Sequence, residues 1–451
     1  MKEKRRRTMP HVTDAYFEQT VATLQQMIRF DSSLKADGAT PFGQETADCL
    51  RSFLSLAENM GFITHNYDDY AGEILFGEGK DLAILAHLDV VPAGSGWTYP
   101  PFAGVINDDE SKGGVKGRKI WGRGAMDDKG PAVSCLYALK ALKDEGFRPK
   151  RKIKFILGCN EESGWKCIDY YRTHAVMPEE GFTPDADFPA IYAEKGILHL
   201  QLTFPLTTDH VRSLQGGQRA NMVCDEVTAH LSRRAGNALA LHRNPVPGTS
   251  LTYDNTTGVM RCTGKSAHGS TPEKGANALY CALCFLANID DGAARAYQVL
   301  ANDCLGLTEM RDETGPLTMS AGIVSLHENR LQVTVDIRFP ATHEKEKVLS
   351  AFERAGIQAM ELNYQAPIYN RPNETLISTL MGVYNSVTGK NERPVAIGGG
   401  TYARALKKGC AFGPEMAGDE VTIHQPDEYI TFERLKLLNE IYYEAIKRLC
   451  Q

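Results

Sequence analysis

No stretch of this sequence is apolar for long enough to cross a membrane; its hydrophobic runs fall well short of the roughly 20 residues a spanning helix needs. The basic start, Lys2-Glu-Lys-Arg-Arg-Arg7, is followed by no apolar segment, so it predicts a solvated chain end rather than a signal peptide. Excess positive charge is missing too. Lys and Arg number 50 against 56 Asp and Glu, a net charge of −6, which argues against a phosphate-backbone binder. The 11 cysteines follow no regular spacing. The one CxxC, Cys281-Ala-Leu-Cys284, falls in a predicted helix over 276–288, with no second pair or nearby histidine to complete a zinc site. Core thiols are expected instead. A reduced, cytoplasmic protein follows, with neither nucleic acid nor membrane as partner.

What is present is an ordinary globular composition, 42% hydrophobic and 24% charged, in a chain of 451 residues, too long for one core. Apolar spacing predicts helices over 12–30 and 43–60, short strands at Ile74–Phe76 and Asp81–His87, and a long Gly/Pro/Asp-rich loop over 92–119. A helix opened by Pro131 and a strand Ile153–Leu157 follow. This alternation is an α/β signature. From about 192 the texture turns to α+β: strands at 198–204 and 331–339, helices at 276–288 and 343–354. Helices near 374–388 and 431–449 close the chain. The expected fold is α/β, a central mixed β-sheet flanked by helices and interrupted by an inserted α+β domain. Its boundaries are 1–191, 192–383 and 384–451.

The chemistry gathers at strand ends. Glu161 and Glu162 directly follow the apolar run Ile153–Leu157. Inside a strand, neighbouring carboxylates would bury one charge; at its carboxyl end both can face a cleft. His87-Leu-Asp89 ends another strand, pairing an imidazole ligand with a carboxylate able to orient it. Asp127 and Asp128 follow Gly122-Arg-Gly-Ala-Met and precede a helix, where acids also serve as caps. Asp185 and His424 sit in turn-like segments. Together these residues offer oxygen and nitrogen ligands with no thiolate, a set suited to two divalent ions sharing a carboxylate.

In this order, His87-Leu-Asp89, Gly-Arg-Gly-Ala-Met-Asp127-Asp-Lys-Gly, Glu161-Glu162, Asp185 and His424 resemble the dinuclear metallopeptidase family of carboxypeptidase G, aminoacylase and succinyl-diaminopimelate desuccinylase. His87-Leu-Asp-Val-Val-Pro-Ala-Gly-Ser-Gly-Trp97, Glu161-Glu-Ser-Gly-Trp165 and Ile397-Gly-Gly-Gly-Thr-Tyr-Ala-Arg404 are similar to its bacterial dipeptidase V subgroup. The resemblance implies a catalytic domain interrupted by a lid, and a monomer. It implies two divalent ions, zinc foremost, with manganese or cobalt as alternatives. Asp127 would bridge them, His87 and Asp185 holding one and Glu162 and His424 the other. Asp89 would orient His87. Glu161 would be the general base as a metal-bridging water attacks a dipeptide with a free N-terminus. His268 in Lys265-Ser-Ala-His268-Gly would reach the scissile carbonyl. Asn221 and Arg338 would bind substrate, and Gly399, Gly400 and Thr401 would join Arg338 around its terminal carboxylate. The alternative is an N-acyl amino acid amidohydrolase of aminoacylase or desuccinylase type on the same two-metal site. Leu88 and Asn160 depart from the family pattern without removing a ligand.

Overall fold

A computed structural model describes residues 11–35, 38, 40–108, 116–239 and 246–451. The basic start lies outside the described residues, as do 109–115 of the expected long loop. The chain forms two compact units. The first comprises Met1–Tyr192, Asn370–Val395 and Thr401–Gln451; the second comprises Ala193–Tyr369 and Ala396–Gly400. The return to the first unit therefore comes earlier than the expected boundary at 384. The reason is helix Thr375–Thr388, which buries Leu376, Ile377, Leu380 and Val383 and packs on the C-terminal helix Phe432–Leu449.

In the first unit the sheet order is Ile63–Tyr67, Ala71–Phe76, Arg151–Gly158, Lys80–His87, Glu180–Thr183, Lys408–Ala411. The first two pairings are antiparallel and the next three parallel. Leu82 to His87 are all buried, as expected of a parallel strand covered on both faces, and this is why the sequence there is continuously apolar. Helix Gln44–Asn59 covers one face, with Phe53 edge-on to Phe155. Helix Lys166–His174 covers the other, with the Tyr171 hydroxyl donating to Glu73. Parallel strands share a direction, so their carboxyl ends lie along one edge of the sheet. His87 ends one strand, and Glu161, Glu162 and Asp185 follow two others within a few residues. This edge is the usual ligand-binding crevice of an open α/β sheet.

The second unit is built on an antiparallel sheet that, among the described residues, has eight strands in the order Ser250–Asp254, Val259–Thr263, Glu226–Leu231, Val211–Gly216, Thr318–His327, Arg330–Phe339, Gly196–Pro205, Gln358–Gln365. Two four-stranded halves meet through Gln215↔Ser325 and Gly216↔Val324. Alternation buries Leu198, Leu200, Leu202 and Phe204 against helices Ala278–Leu286 and Asp291–Leu300. Cys281 is buried in the first of these helices, and all 11 cysteines are free. Among the described residues no helix is long and apolar enough to cross a membrane.

Candidate metal centre

The first unit brings His87, Asp127, Glu161, Glu162, Asp185 and His424 together. His87 Nε2 lies 3.0 Å from Asp127 Oδ1 and 3.6 Å from Asp185 Oδ2. His424 Nε2 lies 3.0 Å from Asp127 Oδ2 and 2.9 Å from Glu162 Oε1. The two oxygens of Asp127 thus face two different imidazoles. Potential ligand atoms of His87, Glu161 and Asp185, and of His87, Asp127 and Glu162, lie within 4.8 Å of one another. His87 is buried, whereas the His424 side chain is 48% exposed.

The donor chemistry fits a cation. His87 Nδ1 lies 2.9 Å from the carbonyl oxygen of Asp89. A carbonyl only accepts, so Nδ1 carries a proton and Nε2 is the nitrogen that faces the carboxylate oxygens. Those oxygens call for a positive centre at Nε2, either a proton or a metal ion that replaces it. Donor atoms held about 2.0–2.2 Å from one ion sit roughly 3–3.5 Å from each other, close to the 2.9 to 3.6 Å separations found here. Burial opposes protonation of His87, yet the charge of Asp185 and the bonds to Asp127 and Asp185 outweigh it and hold the imidazole well above its usual range. Hydrogen bonds to Asp127 and Glu162 push His424 up to about 10. Burial pushes Glu161 well up, helped by the charge of Asp185, and burial also raises Glu162 and Asp185. Several carboxylates crowded out of water is an arrangement that positive charge relieves.

Asp89 was expected to orient His87; its backbone carbonyl, more than its carboxylate, lies against the ring, and the supports from Asp128, Trp165 and Glu428 were not legible. The Asp89 carboxylate accepts from the amides of Glu161 at 3.0 Å and Glu162 at 3.1 Å. Asp128 makes no side-chain cap on helix Lys129–Asp144; its Oδ2 instead accepts the His87 amide at 3.1 Å. Trp165 Nε1 donates to Glu161 Oε1 at 3.0 Å. Glu428 accepts from the amides of Met126 and Asp127. The only sequence signal at Glu428 is an acid pair, Asp427-Glu428, set before the apolar Tyr429-Ile430 rather than after a strand as Glu161-Glu162 is.

The remaining expected site residues divide between the units. In the second, Met222 and His268 form a bridge, the Gly269 amide donates to the Asn221 carbonyl at 2.7 Å, and His268 Nδ1 lies 2.7 Å from Ser270 Oγ. Arg338 is 4% exposed, and its Nε and Nη2 donate to Asp336 Oδ1 and Oδ2 at 2.7 and 2.8 Å. Its Nη1 faces the Gly398 carbonyl at 3.4 Å, so Gly398 approaches Arg338 within this unit. Gly399 and Gly400 belong to the same unit, and Thr401 to the first, where its hydroxyl accepts the Ala403 amide. One fork of the guanidinium is therefore spent on a buried carboxylate. Burial works to raise Asp336, but His199 and Arg338 outweigh it and hold it below the usual range. Asp336→Ala is expected to destabilise this unit by about 3–5 kcal/mol, because it leaves Arg338 buried without its counter-charge. Hydrogen exchange across Arg330–Phe339 measures it; unchanged protection would refute the clamp.

The model of peptidase family M20/M25/M40 matches residues 83–448. A Bacillus subtilis (strain 168) protein named "Putative dipeptidase YtjP" is 34% identical over 461 residues, covering 96% of this chain and 98% of that protein. A Staphylococcus saprophyticus relative with the same kind of name is 35% identical, covering 92% and 93%. The fold is similar to that of human carnosine dipeptidase 1, with a TM-score of 0.58 at 14% identity over 97% of each chain.

Proposed function

The chain belongs to peptidase family M20/M25/M40, and from that premise we propose that it is a metal-dependent dipeptidase of the bacterial dipeptidase V subgroup, acting on dipeptides with a free N-terminus. The observation that carries this reading is Asp127 set between His87 and His424, with Asp185 and Glu162 beside them. The dipeptidase names of the relatives support the substrate class.

In this reading Asp127 would be shared by two divalent ions, zinc first among candidates and manganese or cobalt next. His87 and Asp185 would hold one, Glu162 and His424 the other. Bound ions of this kind supply Lewis acidity and bring the pKa of water towards neutrality. Glu161 takes the proton of the attacking water and returns it to the leaving amine. Asp89 and Trp165 hold Glu161 for this task, one at its amide and the other at Oε1. His268 is assigned as a donor to the oxygen that becomes negative, a contact on the scale of about 3–4 kcal/mol. Arg338 is assigned to the terminal carboxylate through the Nη1 end that Asp336 leaves over, with Gly399, Gly400 and Thr401 as further contacts and Asn221 as a polar partner.

The test is a panel of free dipeptides set against the same dipeptides N-acylated and against N-acyl amino acids. Free dipeptides are expected to show the higher kcat/KM. A preference for the acylated compounds would replace this reading with the amidohydrolase one.

A further inference from the structure

We propose that Glu428 is a positioning residue for Asp127: it grips the backbone of the loop carrying that carboxylate and ties it to the loop carrying His424. The proposal rests on the metal reading above. Glu428 is fully buried. Its Oε1 accepts from the amides of Met126 at 2.9 Å and Asp127 at 3.2 Å, and its Oε2 accepts from Arg123 Nη1 at 2.7 Å. Its own carbonyl accepts the Gly122 amide at 2.9 Å. These contacts all fall on residues 122–127, whereas Glu428 itself follows His424 along the chain.

Each loop needs such a hold. Residues 122–127 belong to no helix or strand, and Gly122 and Gly124 take positive φ values of 157° and 85°, so their amides must find partners outside a ladder. On the other loop His424 and Asp427 have φ values of 60° and 61°, a left-handed conformation that persists for such residues when surrounding contacts over-determine it. Asp427 supplies one contact, accepting the Thr98 amide and hydroxyl at 2.7 and 2.8 Å. Glu428 supplies another, at the point where the pairing of Tyr429–Thr431 with Lys119–Trp121 begins. Arg123 neutralises Glu428 and lies over the Trp97 ring, 5.1 Å from its centroid. Both oxygens of Asp127 must point at different imidazoles, so a small rotation of its backbone spoils both contacts together. Groups that orient ligands in this way commonly change metal affinity by about 10–100-fold.

The experiment compares two double variants of the full chain. Glu428→Gln with Arg123→Met removes both charges but keeps an oxygen that can accept the two amides. Glu428→Met with Arg123→Met removes the charges and the acceptor, and an apolar replacement of a buried ion pair is compatible with folding. Zinc affinity is measured by competition with a chromogenic chelator. The first variant is expected to bind zinc close to the wild type, and the second about 10–100-fold more weakly. Equal affinity of the two, whether high or low, overturns the assignment of Glu428, since the acceptor would then make no difference. Asp127→Ala is measured alongside: wild-type zinc affinity there would sink the metal reading itself, an outcome distinct from failure of the Glu428 comparison.

Discussion

Glu161→Gln is expected to lower kcat by about 10²–10⁴-fold while metal content stays at the wild-type value. Glutamine matches glutamate in shape and can still accept the Trp165 indole N–H that now reaches Oε1 at 3.0 Å. Its backbone amide would keep the Asp89 contact of 3.0 Å. What it cannot do is take a proton from water and hand it to a departing amine. Metal analysis matters because Glu161 lies within ligand range of His87 and Asp185. A base and a ligand both abolish turnover when lost, but only a ligand takes an ion with it. Loss of metal from the variant would mean that Glu161 and Glu162 have exchanged roles. Retained turnover would remove Glu161 from the chemistry.

Asp127→Ala is expected to empty both ion positions and abolish turnover, whereas Glu162→Ala is expected to empty one. Asp127 faces both His87 and His424 at 3.0 Å, while Glu162 faces His424. Metal analysis after dialysis separates the two. Binding to the metal-free wild type also carries a proton signature. With no ion bound, His424 keeps its proton up to about 10 through its bonds to Asp127 and Glu162. At neutral pH that proton must leave before the nitrogen can hold a metal. Affinity should therefore rise with pH over the range up to about 10, with proton release seen as a buffer-dependent heat of binding. An affinity that is flat from pH 6 to 9 would contradict the placement of His424 as a ligand.

The legible parts share a local signature. The run Leu82–Ala86 is apolar because both faces of its strand are covered, and His87 is the polar residue on which that strand ends. Glu161-Glu162 stands out for the same reason after Arg151–Gly158. The C-terminal helix was readable from its spacing and occupies Phe432–Leu449. The return from the second unit was placed too late because helix Thr375–Thr388 is apolar on one side in either unit. Its packing on the C-terminal helix assigns it to the first.

Sequence by itself determined the chemistry: which side chains are available as ligands, and that several of them stand at the carboxyl ends of strands in an α/β fold. Tertiary structure alone decided how they are held. Asp128 turns from a helix cap to the amide of His87, and Glu428 reaches Asp127 across some 300 residues. The physical reason is that strand and helix periodicities arise between near neighbours and so leave a pattern in the chain. A buried carboxylate binding a distant backbone amide recognises a group every residue carries, and such a bond leaves no pattern to read.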